Sequence, residues 1–587
     1  MANEQTSTAP STSSPERESK KQKTEDATRN PLRADVTSDA SREALAAAYR
    51  AGKPYPHCVI PDLCDPALLT AVREELIENV EATYKETDLF NMFQTGDLAN
   101  LDGLDAAASS RLVRLRALRD ALYSPAFRAF VSDITGCGEL SDRTDCACNV
   151  HARGCHLLCH DDVIGTRAVS FIIYLTDPAQ PWTAVDGGAL ELYPEHPELK
   201  LQPDVFPTAT VLPTWNSLAM FAVQPGVSFH SIQEVFAEDR PRMSIQGWYH
   251  RAAPPSNSER ATLRQLQLQG GAMQGPFSKY PDNTPAEADM EGQPIPEADL
   301  VTLRRFMNPA YLDPATWPKV FARFREEGSV QLQSFLRRDV AARLAELAAA
   351  ADARDGLDAC RAPGAYDVGQ RDGWRAFGPA FKQRYLRYMP GSAATSDEAG
   401  EALADVCHNL LATPAFRRFI YKLTTLELIG ERGEVRRFRP GLDYTVAHHG
   451  VLAAKPCLDA VLCVLGADTP ESHELWEAGE VGGYEAYLLA DDDEEAPTKA
   501  EVYRANADGT GPEETGVINI SPAHNCLSLV LRDEETDLLK FVKYVSAAAP
   551  GSRWDVSMEY ELEKDEDETP AAEEEFERLT AAEAEQA

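Results

Sequence analysis

A histidine and a carboxylate stand two residues apart in the sequence His160-Asp161-Asp162. In an extended segment residues i and i+2 point to the same face, so His160 and Asp162 can converge on one ion while Asp161 points away. His230 follows later, between two predicted strands. Two imidazoles and one carboxylate hold non-haem Fe(II) on one face of an octahedron, which leaves positions open for a 2-oxo acid and dioxygen. The sequence therefore predicts a metal site made of His160, Asp162 and His230.

Two further residues are candidates for binding the co-substrate. Arg242 lies twelve residues after His230, on the next predicted strand. Its planar guanidinium matches a carboxylate in bidentate geometry, which suits the distal carboxylate of 2-oxoglutarate. Tyr174 lies in the strand that follows the His160 motif, and its phenol can donate to the same carboxylate. No catalytic residue beyond the metal triad is predicted, because the oxidative chemistry belongs to the cofactor.

Each of these residues also has a structural interpretation. Tyr174 can simply pack in a strand, and Arg242 can pair with one of the many acids. A zinc site is a second metal alternative, because soft ligands are crowded within 15 residues: Cys146, Cys148, His151, Cys155, His156, Cys159 and His160. Zinc modules usually separate two ligand pairs by a dozen or more residues, and crowded cysteines beside a strand are commonly buried small hydrophobic residues.

Short strands must position these side chains. Residues 168–175, 208–212, 218–223 and 243–250 are β-rich and are separated by Pro, Gly and Asn. Strands at this spacing predict a jelly-roll sandwich. Residues 65–88 and 339–355 have helical apolar spacing after an acidic start, and we expect such helices to pack on one outer face of the sheets.

Five motifs recur in the same order in the second half of the chain, which predicts a duplicated domain. For example, Ser124-Pro-Ala-Phe-Arg-Ala-Phe130 returns as Thr413-Pro-Ala-Phe-Arg-Arg-Phe419. The second copy departs from the ligand pattern, because Gly450 stands where a carboxylate is needed after His448 and no histidine occurs around 541–543. We therefore expect no iron in that copy and a structural role for its Arg553.

These patterns predict a mainly β protein with flanking helices, built from two tandem double-stranded β-helix (jelly-roll) domains. The expected regions are a disordered tail at 1–40, a catalytic domain at 41–255, a linker at 256–325, a non-catalytic jelly-roll domain at 326–560 and an acidic disordered tail at 561–587.

The chain has 587 residues and a formal net charge of −37. Such a surface repels phosphates and favours basic partners, so a nucleic-acid coat protein and direct nucleic-acid binding are not expected. No apolar stretch is long enough to span a bilayer, and we expect neither a secretory signal nor a disulfide framework. Residues 17–23 are either a nuclear import signal or part of a solvated tail.

Six motifs resemble the eukaryotic ribosomal prolyl 3-hydroxylases, which are 2-oxoglutarate- and Fe(II)-dependent dioxygenases. They are Pro56-His-Cys-Val-Ile60, Phe93-Gln-Thr-Gly-Asp-Leu98, Cys159-His-Asp-Asp162, Phe171-Ile-Ile-Tyr-Leu175, Asp186-Gly-Gly188 and Arg242-Met-Ser-Ile-Gln-Gly-Trp248. The resemblance implies that His160, Asp162 and His230 bind iron, and that Tyr174 and Arg242 bind 2-oxoglutarate.

The same resemblance implies hydroxylation of one proline of a basic small-subunit ribosomal protein, with effects on translation, in the nucleus and cytoplasm. It also implies that ascorbate keeps the iron reduced. The alternatives are a non-enzymatic acidic scaffold for ribosomal or regulatory proteins, and an oxidase of nucleobases or small molecules. The acidic residues 491–495 are a candidate docking loop for the substrate. The sequence leaves the oligomeric state open.

Overall fold

The computed structural model describes residues 29–253, 276–280, 293–358, 364–391, 394–447, 456–466, 469–489, 518–532 and 538–563. Strands between 57 and 250 form one sheet, and strands between 278 and 562 form two others. We call residues 29–253 the first unit and residues 276–563 the second unit. Residues 1–28 and 564–587 of the predicted tails, the stretch 448–450 and the loop 491–495 lie outside the described residues, whereas residues 29–40 and 561–563 are described.

Helices in the first unit begin at recognisable capping residues. Ser124 accepts a hydrogen bond from the Phe127 amide at 3.2 Å, and Pro125 occupies the first turn, where its missing N–H costs nothing. The helices are α1 (Asp39–Ala51), α2 (Pro66–Asn79), α3 (Ala106–Ser109), α4 (Val113–Leu122) and α5 (Pro125–Thr135).

The helix predicted over 65–88 is shorter than expected. It ends at Asn79, because Val80 is already extended, and Thr83–Glu86 forms a strand. Thr83 and Tyr84 are a β-branched and an aromatic residue, which favour a strand, and the segment pairs with its neighbour in antiparallel register. Tertiary pairing therefore overrides the helical spacing at this end.

Eleven strands of the first unit form a nearly closed, barrel-like antiparallel sheet. They are β1 (His57–Ile60), β2 (Thr83–Glu86), β3 (Phe90–Gln94), β4 (Thr144–His151), β5 (His156–His160), β6 (Arg167–Tyr174), β7 (Leu190–Leu192), β8 (Ala209–Val211), β9 (Leu218–Ala222), β10 (His230–Ile232) and β11 (Arg242–His250). Strands β1, β9, β6, β11 and β4 form the major half, and β5, β10, β7 and β8 form the minor half. Strand β3 pairs with both β4 and β5 and so joins the two halves.

The helices cover the outer face of the major half. Apolar side chains of these helices, among them Leu69, Leu118 and Phe130, pack in one buried cluster with Phe171 and Ile245 of the sheet. This arrangement is the expected one, in which helices lie on a single outer face.

The second unit repeats this architecture. Its helices are α6 (Glu297–Arg304), α7 (Trp317–Glu327), α8 (Arg338–Asp355), α9 (Glu398–Val406), α10 (Pro414–Thr424) and α11 (Pro470–Glu477). Its strands are β12 (Ser278–Lys279), β13 (Ser329–Gln333), β14 (Trp374–Phe377), β15 (Gln383–Tyr388), β16 (Leu428–Phe438), β17 (Tyr444–Thr445), β18 (Cys457–Leu465), β19 (Glu485–Leu489), β20 (Ile518–Ile520), β21 (Cys526–Arg532), β22 (Leu538–Val542) and β23 (Arg553–Leu562).

Strand order demonstrates the duplication directly. The order β13-β21-β18-β23-β16 in the second unit corresponds to β1-β9-β6-β11-β4 in the first. Helix α10 carries the repeated motif of α5, and Thr413 caps it through the Phe416 amide at 3.2 Å, as Ser124 caps α5. The predicted mainly β fold with tandem jelly rolls is confirmed. No helix within the described ranges is long and apolar enough to cross a membrane.

Candidate metal and co-substrate site

The structure brings together the three predicted metal ligands. His160 is the last residue of β5 and His230 is the first of β10, and the two face each other across the strand pair. The Nε2 atom of His160 lies 3.3 Å from Asp162 Oδ1, and that of His230 lies 3.4 Å from Asp162 Oδ2. All candidate donor atoms lie within 4.8 Å of one another. Asp162 reaches this position with a φ of 63°, in the left-handed region.

Backbone carbonyls fix the orientation of both imidazoles. The Nδ1 atom of His160 lies 2.8 Å from the Leu158 carbonyl, and that of His230 lies 2.9 Å from the Ser228 carbonyl. A carbonyl can only accept, so each Nδ1 donates to it and each Nε2 is turned toward Asp162. Once a metal ion takes the place of the protons between these groups, the donor set is two imidazole nitrogens and one carboxylate, which fits non-haem Fe(II).

Asp161 points away from the ligands, as its spacing predicts, and ties the two ligand segments together. Its carboxylate accepts the Val163 and Gly226 amides, both at 3.2 Å, and its carbonyl accepts the Ser228 hydroxyl at 3.0 Å. Gly226 has a φ of 71°, and a Cβ there would lie 2.7 Å from the Leu201 Cβ, so the turn requires glycine. These contacts hold the His160 turn against the segment that leads to His230.

The electrostatic balance at the triad favours a cation. Burial raises the pKa of Asp162, but the adjacent imidazoles of His230 and His160 outweigh burial and hold the pKa well below its usual range. The carboxylate is therefore ionised at neutral pH. A metal ion that replaces protons between these three side chains would therefore bind to a buried Asp162 that is already ionised.

Arg242 and Tyr174 form a second polar group in the barrel. The Arg242 Nε donates to the Gly188 carbonyl at 2.7 Å, and its Cζ lies 5.1 Å from the centre of the Tyr174 ring. Among the described residues, the buried Arg242 Nη2 and Tyr174 Oη make no hydrogen bond of good geometry, and the two groups interact electrostatically with each other. Gly188 allows this approach, because a Cβ there would lie 2.8 Å from Arg242 Cδ. Two unpartnered donors, one of them on a buried cation, form a site that suits a carboxylate ligand.

Two residues of β4 extend this polar group and were not singled out as co-substrate contacts from the sequence. His151 lies opposite Arg242 and Asn149 lies opposite Ser244 in the β4–β11 register. Both ring nitrogens of His151 and the Nδ2 of Asn149 are buried without a partner among the described residues. Burial, with Arg242 nearby, lowers the pKa of His151 well below its usual range, so the imidazole is neutral. Only cross-strand register reveals these neighbours.

Arg167 and Trp248 lie beside the metal ligands. The Arg167 guanidinium stacks over the Trp248 ring, with Cζ 3.5 Å from the ring centre, and its Nη1 lies 3.8 Å from Asp162 Oδ1. The side chains of Arg167 and His160 are 15% and 20% exposed, whereas Asp162 and His230 are 4% and 5% exposed. Solvent therefore reaches the triad from the side of His160 and Arg167.

The cysteines provide no support for the zinc alternative. All eleven described cysteines are free thiols, and burial raises the pKa of several of them, including Cys148 to about 12. Within the described part of the chain, the single cluster able to hold a metal is His160, Asp162 and His230. The crowded cysteines instead pack with apolar side chains, as buried thiols commonly do.

The second unit keeps the arginine of this site but has different residues at the other polar positions compared here. Strand register makes Arg553 the counterpart of Arg242, because both begin the final strand of their unit. The remaining substitutions follow from the same pairing: Phe438 for His151, Arg436 for Asn149, Cys463 for Tyr174 and Asp555 for Ser244.

The guanidinium of Arg553 forms ion pairs with carboxylates of the second unit itself. Glu485 accepts a short hydrogen bond from Arg553 Nη2, and Asp555 lies 2.9 Å from Nη1. Arg436 binds the same Asp555 through two contacts at 2.7 and 3.0 Å. All four side chains are buried. Two carboxylates of its own unit therefore neutralise the Arg553 guanidinium, although its Nε and Nη1 make no hydrogen bond among the described residues.

The metal position of the second unit is also altered. Strand β22, which pairs with β19 as β10 pairs with β7, carries Lys540 and no histidine. Lys540 lies 3.2 Å from the buried Asp459, which also binds Arg532 at 2.9 Å. Internal ion pairs thus replace ligands in the described part of this barrel.

Comparison with known proteins finds similarity along both units. Residues 146–250 match the 2OG-Fe(II) oxygenase superfamily, and residues 298–568 match the family described as oxoglutarate and iron-dependent oxygenase degradation C-term. Prolyl 3,4-dihydroxylase OGFOD1 of Ostreococcus tauri is 38% identical over 514 residues, which is 86% of this chain and 95% of that protein. Prolyl 3-hydroxylase OGFOD1 of Xenopus laevis is 27% identical over 84% of this chain and 83% of that protein. Prolyl 3-hydroxylase sudestada1 of Drosophila melanogaster is 26% identical over 87% and 84%.

Proposed function

Because the chain belongs to the OGFOD1 family of 2-oxoglutarate- and Fe(II)-dependent prolyl hydroxylases, we propose that it hydroxylates C3 of one proline in a basic small-subunit ribosomal protein. The dioxygenase activity on prolyl residues follows from the family. The observation that carries the proposal is the buried triad together with the unpartnered donors of Arg242 and Tyr174. Of the relatives above, two are named prolyl 3-hydroxylases, which supports the ring position.

His160, Asp162 and His230 are the proposed iron ligands, and Arg242 and Tyr174 are the proposed 2-oxoglutarate contacts. Bound iron, 2-oxoglutarate and dioxygen together supply the oxidation that converts a C–H bond to C–OH, with succinate and carbon dioxide as co-products. His151 and Asn149 extend the pocket beside Arg242, where their unpartnered nitrogens support a role in binding the co-substrate. The chain's own contribution is therefore to orient donors and to exclude water.

Each side chain performs a defined part of that task. The two carbonyl-bound imidazoles keep their Nε2 lone pairs directed at the metal position. The guanidinium of Arg242 is held by the Gly188 carbonyl, which leaves Nη2 for the distal carboxylate. Burial raises the pKa of Tyr174, so its phenol stays protonated and donates a hydrogen bond.

The Arg167–Trp248 pair is the proposed binding surface for the substrate peptide. A proline ring packs well on an aromatic face, and a guanidinium donates to peptide carbonyls. The pair borders the solvent-exposed side of the triad, where a peptide must enter. Substrate selection would then combine this local contact with the attraction between a chain of net charge −37 and a basic protein.

Replacing Arg167 with glutamine tests this surface. We expect KM for the peptide to rise about tenfold, because a hydrogen bond to a charged group is worth about 1.5–3 kcal/mol. Turnover of 2-oxoglutarate without peptide stays within about twofold, since the co-substrate contacts are elsewhere. Arg42→Gln is the control, because Arg42 pairs with Asp133 on the helical face. Equal KM values for both variants would exclude Arg167 from peptide binding. Because Arg167 also lies near Asp162, metal affinity is measured on the same samples. A change in that affinity would identify an indirect effect through Asp162.

Mass spectrometry identifies the substrate. Small-subunit ribosomal proteins are incubated with the enzyme, Fe(II), 2-oxoglutarate and ascorbate, and digested. We expect one proline in a Lys- or Arg-containing loop to gain one oxygen atom, and fragmentation to place it on C3. Substrates with alanine at that proline and enzyme carrying Asp162→Ala serve as controls. A gain of two oxygens would indicate dihydroxylation, and no gain on any ribosomal proline would refute the ribosomal substrate.

Ascorbate as the reductant of the iron, a location in nucleus and cytoplasm and a role in translation are further parts of this proposal, supported by the family resemblance. The family and the intact triad argue against the non-enzymatic scaffold, which needs no converging ligands. The acidic surface disfavours a nucleobase substrate.

A further inference from the structure

The second unit covers the outer face of the minor half, where no helix of the first unit packs among the described residues. Residues next to both candidate histidine ligands are buried against it. Cys159, which precedes His160, and Phe229, which precedes His230, form an apolar cluster with Ala380 and Phe381 of the second unit. The Phe229 and Phe381 rings lie 5.3 Å apart. The second unit therefore contacts the segments that carry the metal ligands.

Strand β10 is short, and its pairing is regular on one side only. It has three residues, His230–Ile232, which pair with β7 without interruption, whereas the register with β5 shifts between His230 and Ile232. Side-chain contacts from outside the barrel add to the restraint that the backbone pairing gives.

A chain of polar contacts supplies it on one side of β10. The Ser231 hydroxyl donates to Glu191 Oε2 at 2.8 Å, and Tyr366 of the second unit donates a short hydrogen bond to Glu191 Oε1. Tyr193 lies 3.2 Å from the Ser231 hydroxyl and accepts from Arg384 of the second unit at 3.2 Å. Every member of this chain is buried or part-buried, so each contact acts in a medium where a missing partner is costly.

A second anchor lies at the end of β10. The carboxylate of Glu234 is buried and accepts three hydrogen bonds from one segment of the second unit. Tyr544 donates at 3.2 Å, Ser546 at 2.6 Å and the Ala547 amide at 2.8 Å. Removing the second unit would leave this carboxylate without its donors.

We propose that the second unit is the outer support of the metal site, and that Tyr366 and Glu234 are positioning residues that fix β10 and thereby His230. This inference rests on the proposed assignment of His230 as a metal ligand. It gives the second unit a role in catalysis through geometry, without any ligand of its own. Residues that orient metal ligands typically change metal affinity about 10–100-fold when replaced.

The test uses the full chain and Mn(II) as the probe, with the EPR signal of free Mn(II) as the readout. Tyr366→Phe keeps the ring that packs beside Phe206 and Arg384 but removes the hydroxyl. We expect its dissociation constant for Mn(II) to rise about tenfold, with KM for 2-oxoglutarate unchanged at saturating metal. Tyr385→Phe is the matched control, because that hydroxyl donates to Glu434 at 2.8 Å within the second unit. We expect no change in its Mn(II) affinity.

The Mn(II) affinities of Glu234→Gln and Ser231→Ala test independently whether these contacts fix β10. Ser231→Ala changes only the first unit, so it remains informative if an interface variant fails to fold. Unaltered Mn(II) affinity in the folded members of this set would overturn the positioning role. His230→Ala separates this failure from a wrong site assignment: if it binds Mn(II) as tightly as the unaltered chain does, the metal ligands themselves are misassigned.

Discussion

We expect Asp162→Ala to lower prolyl hydroxylation at least ~1,000-fold, equivalent to about 4 kcal/mol of transition-state stabilisation. Asp162 is the sole carboxylate of the candidate metal cluster among the described residues, and it lies between two imidazoles whose Nε2 atoms point at it. Its loss leaves two neutral ligands on a divalent ion. Turnover is measured as succinate release with the ribosomal substrate.

The same variant separates loss of metal from loss of fold. A ligand at a concentration 100 times its dissociation constant stabilises a protein by about 2.7 kcal/mol, so Mn(II) raises the melting temperature of the unaltered chain. We expect Asp162→Ala to melt cooperatively and to show no such rise. Asp142→Ala is the control, because Asp142 is exposed and lies outside the triad. Turnover of Asp162→Ala within tenfold of the unaltered chain would remove Asp162 from the site.

Arg242→Lys is expected to weaken 2-oxoglutarate binding at least tenfold, or about 1.4 kcal/mol. The guanidinium donates to the Gly188 carbonyl through Nε and keeps Nη2 for the ligand, and one ammonium group cannot reproduce both directions. Tyr174→Phe removes a hydrogen bond to a charged group and is expected to cost about 1.5–3 kcal/mol. Calorimetric titration of the anaerobic, Mn(II)-loaded protein measures both.

Arg553→Lys in the second unit provides the matched control. Arg553 occupies the register position of Arg242 but is bound to Glu485 and Asp555. Its replacement should lower the free energy of unfolding and leave 2-oxoglutarate affinity unchanged. If Arg242→Lys and Arg553→Lys had equal effects on that affinity, the co-substrate pocket would not be the one around Arg242.

The residues that sequence spacing could identify are those whose chemistry is local or ordered along the chain. His160 and Asp162 are two apart on an extended segment, and Arg242 begins the strand after His230, so a pattern of types and distances was sufficient to name them as candidates. The strand order confirms the duplication that five short motifs indicated. The candidate site residues and the duplication both depend on the order of residues along the chain, which can be read from the sequence.

The features that spacing could not provide depend on register between distant strands. His151 and Asn149 lie beside the pocket because β4 pairs with β11, and a shift of one residue would turn both outward. The end of α2 at Asn79 depends on pairing of β2 with β3. The contacts of Glu234 with the second unit join residues more than 300 positions apart, which no local pattern encodes.

The ion pair between Glu485 and Arg553 makes it difficult for the second unit to regain an open co-substrate pocket in evolution. Reopening a pocket there requires the loss of Glu485 and Asp555, and each single step removes one of the two carboxylates that neutralise buried guanidinium groups. Breaking a buried ion pair from one side typically costs about 3–5 kcal/mol, a large share of the ~5–15 kcal/mol that stabilises a domain. Lineages that take the first step therefore fall toward the stability threshold before any new binding can be selected. The buried ion pairs of the duplicated copy therefore oppose its conversion into a second binding pocket.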